Sequence, residues 1–345
     1  MNKFIKLIFL TTLIISLSAC KVQGTTFAYT VYPIGYLFDR IGGDKISTYQ
    51  IQTNDLIQVA TIKDDYQDVI SNNTINLFHI GDLEPYLSIY NKELKENGVT
   101  FYDLSSKSTT YEFKRYNLVY VDSKANYIEG DYYNLNLFDK LDLYQKDLSI
   151  WVSPIAMLSM ANDISTYLKA NYVEQAQSFD DNYKSLENDL VRLDAEYQIL
   201  SKSLKQQNKT VKFVSMTPSF GNWQKDYGFQ VYPVTLSRYG TLPNEEQLIE
   251  IENKIIENQV KFIAFEPNMT DDMIDLFNYL QEKLDLTRVN LSNLSSLTDS
   301  QIEDNKDYIT IMYENLNALE NMVSDKLDND SVNDMPLEAL ETEDN

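Results

Sequence analysis

Residues 172–205 contain neither proline nor glycine and read YVEQAQSFDDNYKSLENDLVRLDAEYQILSKSLK. Large apolar residues recur in this stretch at steps of three and four, the spacing that places side chains on one face of an α-helix. These positions are Phe179, Tyr183, Leu186, Leu190, Leu193, Tyr197, Leu200 and Leu204. The pattern predicts one long helix, and a coiled coil is the competing interpretation. Because α/β segments flank the stretch on both sides, we favour a stiff connecting helix.

The segments on either side of this helix alternate between strand-like and helix-like patterns. Before it, strands are predicted at residues 26–32, 46–51, 75–80 and 116–121. After it, strands are predicted at residues 211–215, 229–234 and 260–265, with a helix at 244–258. Such alternation indicates parallel sheets covered by helices. We therefore predict an α/β fold with an N-terminal lobe at 26–170 and a C-terminal lobe at 208–323, joined by one long rigid helix within 171–207.

The first twenty residues have the pattern of an export signal. Two lysines precede an apolar run at residues 7–17, and small residues then lead to Cys20, the only cysteine of the chain. This order is typical of a signal peptide at 1–19 that is removed when Cys20 is lipidated. An uncleaved membrane anchor is the alternative, but the apolar run is shorter than the ~20 residues that span a bilayer. We predict a lipidated tether at 20–25 that holds the protein on the extracytoplasmic face of the cell membrane.

The composition limits the classes of partner. The chain carries 52 acidic and 29 basic side chains, and its net charge is −23. Nucleic acid is excluded as a partner because binding to phosphates needs the opposite charge. A hydrophobic fraction of 43% is enough for a packed core, and this length favours two domains over one. Residues 324–345 are rich in acids and poor in large apolar groups, so we predict a disordered acidic tail there.

Several short motifs follow one another in order across the mature chain. They are Tyr32-Pro33-Ile34, Leu83-Glu84-Pro85-Tyr86-Leu87, Asp147-Leu148-Ser149-Ile150-Trp151, Ser219-Phe220-Gly221-Asn222-Trp223 and Phe265-Glu266-Pro267. In order and spacing they resemble motifs of the zinc- and manganese-binding lipoproteins that serve ABC importers. The resemblance implies the two-lobed fold, a monomeric substrate-binding protein and an ABC permease in the membrane as its partner.

The same resemblance implies a metal site between the lobes, which the family builds from about four imidazole and carboxylate side chains. This chain has a single histidine, His79. Aligning the motifs places Ala60, Ser149, Thr217 and Ser292 at the four ligand positions. Because methyl and hydroxyl groups are poor ligands for a divalent transition ion, we expect a degenerate site and no bound metal. Zinc or manganese would be expected only if this interpretation is wrong.

Three charged residues are the remaining candidates for the cleft between the lobes. Glu266 stands next to Pro267 at the end of a predicted strand, where it is either a cleft carboxylate or a neighbour of a helix N-cap. Arg238 lies in a loop after a predicted strand, and Arg288 lies near Ser292. Either arginine could pair with an anionic organic ligand. The alternative for both arginines is a solvated surface position.

The sequence offers no enzymatic motif. It has no cysteine nucleophile, no Gly-x-Ser-x-Gly turn, no glycine-rich phosphate loop and no histidine placed to act as a general base. We therefore predict that the protein is not an enzyme. Two functions remain: a receptor that delivers a solute or a metal species to an importer, or a surface interaction protein of the adhesin type that uses the two lobes as a scaffold.

Overall fold

The computed structural model describes residues 25–72, 74–105, 111–112, 114–121, 124–131, 133, 135–142 and 146–323. The predicted signal peptide, the lipidation site at Cys20 and the predicted acidic tail lie outside these residues. Within them, two α/β lobes are joined by one long helix, as the sequence predicted.

The first lobe is built on a four-stranded parallel sheet. Its elements are β1 (Thr25–Tyr29), α1 (Tyr32–Gly42), β2 (Ser47–Gln50), α2 (Tyr66–Asn72), β3 (Thr74–His79), α3 (Pro85–Glu96) and β4 (Thr100–Asp103). The strand order is β2-β1-β3-β4. Helix α1 has Pro33 in its first turn and is followed by Gly43 at a φ of +54°, a conformation that favours glycine. Because the strands are parallel, their carboxyl ends meet at one edge of the sheet.

A small antiparallel region follows the first sheet. It contains β5 (Tyr111–Glu112), β6 (Lys114–Val121), β7 (Lys124–Asp131), α4 (Leu135–Phe138) and β8 (Lys146–Asp147). The predicted strand at 116–121 lies within β6, but β6 pairs with β7 in a separate hairpin, not with the parallel sheet. The fourth strand of that sheet is β4, which the sequence did not predict. Strand β4 is short and has both of its end residues exposed, so it lacks the alternation of a half-buried strand.

One long helix connects the lobes. After α5 (Pro154–Asn171) and a 3₁₀ turn at Val173–Gln175, helix α6 spans Ala176–Gln206. The prediction of one long helix is confirmed, with its α-helical part beginning at Ala176. Its stripe packs against α5 and the lobes, not against a second long helix of a coiled coil. The apolar residues buried along it are Phe179, Leu186, Leu190, Leu193, Tyr197, Leu200 and Leu204.

The second lobe repeats the plan of the first. Its elements are β9 (Lys212–Ser215), α7 (Gly221–Tyr227), β10 (Gln230–Pro233), α8 (Glu245–Glu257), β11 (Phe262–Phe265), α9 (Asp271–Lys283), β12 (Thr287–Asn290), α10 (Asp299–Glu303) and α11 (Tyr308–Asn321). The parallel order is β10-β9-β11-β12, which is the order of the first sheet. Helix α8 begins with a capping box in which Asn244 and Gln247 each bond the other's backbone N–H.

Helix α6 is bonded to both lobes. Near its middle, Asp189 forms an ion pair with Arg40 of α1 at 2.7 Å. Closer to its end, the Tyr197 hydroxyl donates to the carbonyl of Met312 in α11 at 2.8 Å. The Ser201 hydroxyl donates to the carbonyl at the end of α7 at 2.6 Å. The helix therefore holds the two lobes to one common core.

Candidate ligand cleft

The loops that follow the strands of one lobe contact the corresponding loops of the other. After β1, the Tyr32 N–H donates to the carbonyl of Ser295, which follows β12, at 3.0 Å. After β10, the Arg238 guanidinium donates to the carbonyl of Asp82, which follows β3, at 2.6 Å. Ligands of open parallel sheets bind outside the carboxyl ends of the strands. The cleft between these loops is therefore the candidate site.

Glu266, directly after β11, is fully buried on the second-lobe side of the cleft. Its carboxylate accepts the backbone N–H groups of Met216 at 2.7 Å and Thr217 at 2.9 Å, the Thr217 hydroxyl at 2.5 Å and the Asn293 amide at 3.0 Å. Burial raises the pKa of Glu266, and the donors from Thr217 and Asn293 oppose that rise. The carboxylate ties together the loops after β9, β11 and β12, and so fixes one wall of the cleft.

The second-lobe hydroxyls at the family's ligand positions are engaged within the protein. The Thr217 hydroxyl donates to Glu266 and lies 2.7 Å from the Ser219 hydroxyl. The Ser292 hydroxyl accepts the Leu294 N–H at 3.2 Å. The backbone of Ser292 is held on both sides by the Asn315 amide, each bond at 2.8 Å. Both positions therefore serve to hold the loops in place.

Ser149 lies in a segment that is bonded to the second lobe through Asp147. The fully buried Asp147 carboxylate accepts the Ser149 N–H at 2.9 Å, the Asn222 N–H at 2.7 Å and the Asn222 side-chain amide at 2.8 Å. Burial raises the pKa of Asp147 to about 7, while these donors favour the ionised form. The structure thus places Ser149 beside α7, in the same loop and helix region that begins at Thr217.

Ala60 lies on the first-lobe side and packs in an apolar cluster with Ile51, Ile62 and Tyr86. Gln58, two residues before Ala60, lies close to the second lobe. A Cβ atom added to Gly240 would be 3.3 Å from the Gln58 Cβ atom. The methyl group of Ala60 offers no electron pair to a cation. The structure gathers Thr217 and Ser292 around Glu266, links Ser149 to the same region, and leaves Ala60 in apolar packing.

The two arginine candidates differ in position. Arg238 is partly buried and reaches across the cleft to Asp82. Arg288 lies within β12 on an exposed surface, where its guanidinium carbon is 3.7 Å from the centroid of the Phe265 ring and its Nε donates to Asn290. Arg238 and Glu266 therefore border the cleft, whereas Arg288 stacks on the outside of the second sheet.

Sequence reasoning missed two buried carboxyl groups, Asp147 and Glu84. Glu84 is only 2% exposed, and burial raises its pKa to about 8. A signal for Glu84 was present, since a Glu-Pro pair follows both β3 and β11, at residues 84–85 and 266–267. Asp147 was visible in the sequence only as part of the motif in which it lies.

In the part of the chain that the structure describes, no three His, Cys, Asp or Glu side chains are grouped so that they could hold a metal ion. Over the same residues, no helix combines the length and the apolar character that crossing a membrane requires.

A family model decides the assignment. The model described as "Zinc-uptake complex component A periplasmic" (ZnuA) matches residues 28–322. The chain belongs to this family. The ZnuA family consists of metal-binding substrate receptors of ABC transporters, not of enzymes. The resemblance noted from the motifs is thereby confirmed.

Two curated relatives with similar sequences agree with the assignment to the ZnuA family. The zinc-binding lipoprotein AdcA of Streptococcus pneumoniae is 26% identical over 176 residues, which is 51% of this chain and 34% of that protein. The zinc-binding protein AdcA of Streptococcus pyogenes is 25% identical over 173 residues, which is 50% of this chain and 32% of that protein. The chain thus spans about a third of the length of the curated relatives it matches.

Solved structures share the fold. The crystal structure of ZnuA superimposes with a TM-score of 0.66 at 17% identity and covers 88% of this chain and 100% of its own. A mutant structure of the laminin-binding adhesin Lmb from Streptococcus agalactiae has a TM-score of 0.65 at 18% identity, with the same two coverages. At these identities the likeness establishes the architecture alone.

Proposed function

We propose that this protein is a lipid-anchored receptor that delivers a solute to an ABC permease, and that its cleft no longer binds free zinc or manganese tightly. Membership of the ZnuA family supports the receptor role. The export pattern that ends at Cys20 supports a lipid anchor on the extracytoplasmic face. The observation that carries the lost-metal proposal is the chemistry at the four ligand positions.

None of these four side chains offers an imidazole or a carboxylate. Structural zinc sites draw on the order of 10 kcal/mol from strong donors, and neutral hydroxyls do not replace them. The Thr217 hydroxyl is already bonded to Glu266 and Ser219, and it is a neutral oxygen, not a strong donor to a metal ion. Ala60 has no donor atom at all. The donor set therefore does not fit a divalent transition ion, and the solute is one that the rebuilt polar cleft recognises.

Calorimetry on the metal-stripped full chain in detergent tests this proposal. We expect no submicromolar binding of zinc or manganese. The variant with Ala60→His, Ser149→His, Thr217→His and Ser292→Asp should bind zinc about 100-fold more tightly than the parent, which corresponds to about 3 kcal/mol. The gain comes from imidazole and carboxylate donors brought to one place.

The matched control carries the three histidines but keeps Ser292, and it should recover only part of the affinity. Circular dichroism of each variant checks that the fold is kept. Submicromolar binding of zinc by the parent, abolished by changes that line the cleft, would return this protein to the zinc-binding receptors.

A further inference from the structure

Two glutamates lie in corresponding loops of the two lobes. Glu84 and Glu266 each follow the third strand of a sheet with the same strand order, and each precedes a proline. Both are buried. The Glu266 carboxylate has four hydrogen-bond donors from its own lobe. No donor among the described residues reaches full hydrogen-bond geometry with either carboxyl oxygen of Glu84, and only the Thr30 hydroxyl and the Glu84 N–H lie near enough to lower its pKa.

Two more buried polar atoms near Glu84 share this property. The Thr30 hydroxyl and the Gln52 side-chain nitrogen have no hydrogen-bond partner in the described part of the chain, and both residues are fully buried. The Thr30 hydroxyl is close enough to lower the pKa of Glu84, although it does not reach hydrogen-bond geometry. The Gln52 oxygen accepts the Tyr86 hydroxyl at 3.0 Å, and the charge of Glu84 acts on Tyr86. We call Thr30, Gln52, Glu84 and Tyr86 the first-lobe polar cluster.

The first-lobe polar cluster lies at the carboxyl edge of the first sheet. Thr30 directly follows β1, and two residues later Tyr32 bonds the second lobe. Glu84 follows Asp82, whose carbonyl accepts Arg238 from the second lobe. The cluster is therefore buried directly behind the first-lobe loops that contact the second lobe. Buried polar groups without partners are costly and point to a bound partner.

The acceptor and donor atoms of the first-lobe polar cluster indicate which class of solute would satisfy them. When it is ionised, Glu84 offers two acceptor oxygens, and the negative charges of Asp82 and Asp103 act on the same place. A cation bound there would favour the loss of the proton that burial holds on Glu84. Gln52 offers an N–H donor, which a bare metal ion cannot accept. An organic ammonium or guanidinium group that stands next to a carbonyl or carboxylate oxygen satisfies both kinds of atom.

We infer that the first-lobe polar cluster binds the cationic N–H group of a small amino-acid-like solute, with Glu84 as the acceptor and Gln52 as the donor to a neighbouring oxygen of the same solute. This inference rests on the proposed receptor function and names the chemistry of its ligand. Thr30 completes the set, because its hydroxyl both donates and accepts.

Calorimetry of the full chain in detergent tests the inference with glycine, L-lysine, L-arginine and glycylglycine as probes. At least one probe should bind the parent, and the Glu84→Gln variant should lose at least about tenfold in affinity, because an amide cannot pair with the cation. N,N,N-Trimethylglycine keeps the charge and the carboxylate of glycine but has no N–H group, so it should not bind. Thr30→Val should weaken the same probe.

Ser165→Ala is the control variant. Ser165 is buried in α5 and its hydroxyl also has no partner among the described residues, but it lies away from the strand ends. The Ser165→Ala variant should bind the probe as tightly as the parent does. If no probe binds the parent more tightly than Glu84→Gln, the cluster holds no such solute and the inference is wrong. A zinc titration of the same two proteins separates the outcomes, since tight zinc binding by both would overturn the lost-metal proposal instead.

Discussion

At the scale of single residues, two buried carboxyl groups near the cleft differ in the number of hydrogen-bond donors around them. Glu266 is surrounded by donors, which stabilise its charge against burial. At Glu84 only the Thr30 hydroxyl and the Glu84 N–H oppose burial, so burial dominates and raises its pKa to about 8 from an ordinary 4.5. Both carboxyls are buried, but Glu266 has more N–H and O–H donors, and the charges of Asp103 and Asp82 further raise the pKa of Glu84.

The raised pKa of Glu84 predicts a dependence of stability on pH. Between about pH 4.5 and about pH 8 the folded chain holds a proton on Glu84 that the unfolded chain has released. The stabilisation is complete below that window and is lost as the pH rises through about 8. Glu84→Gln cannot ionise, so its stability relative to the parent should grow by a few kcal/mol across the window, at about 1.4 kcal/mol per pH unit at most.

Urea unfolding of both proteins, dialysed free of solutes, at pH 5 and pH 8 measures this difference. Other buried carboxyls, such as Asp147, affect both proteins alike and cancel in the comparison. Parallel stability profiles of the parent and Glu84→Gln would contradict the raised pKa, because the folded and unfolded chains would then hold the same number of protons at residue 84.

At the scale of elements, helix α6 joins the lobes through one buried stripe. Leu190 is fully buried in the core that both lobes share, while its neighbour Val191 is 49% exposed. Leu190→Ala should therefore lower the free energy of unfolding by about 2–5 kcal/mol, the usual cost of a cavity in a core. Val191→Ala should change it by about 0.5 kcal/mol or less.

Chemical unfolding monitored by circular dichroism compares the two variants of α6. Alanine has the higher helix propensity in both changes, by a few tenths of a kcal/mol to about 0.7 kcal/mol, so propensity cannot account for a loss of stability in Leu190→Ala. Equal losses in the two variants would mean that the stripe does not carry the packing between the lobes.

The elements also show how much the sequence could predict. Helix α6 was predictable because its stripe repeats over many turns without a breaker, and a long periodic signal is robust. Strand β1 was predicted to run on to Tyr32, but it ends at Tyr29, because a helix with Pro33 in its first turn begins at Tyr32. The bonds around Glu266 and the lack of partners at Glu84 depend on loops far apart in sequence. No local pattern encodes them.

At the scale of the whole molecule, two halves with the same strand order face each other across a cleft, and the first described strand begins five residues after Cys20. We predict that Cys20→Ala either releases the protein from membranes or leaves an uncut precursor, because acylation at Cys20 is the proposed attachment. Membrane fractionation and mass measurement of the N-terminus give the result. A Cys20→Ala form that is processed and retained like the parent would contradict the lipid anchor.

The segment at Ile150–Val152 lies between the lobes and holds both tryptophans of the chain in hydrogen bonds. The Trp151 indole donates to the Asn293 carbonyl at 2.7 Å, and the Trp223 indole donates to the Val152 carbonyl at 2.8 Å. Both rings are fully buried. Since the sequence has only these two tryptophans, all of its indole fluorescence originates at this junction. Indole fluorescence therefore reports on the contact between the lobes, and a solute that changes this contact is expected to change the emission without an attached dye.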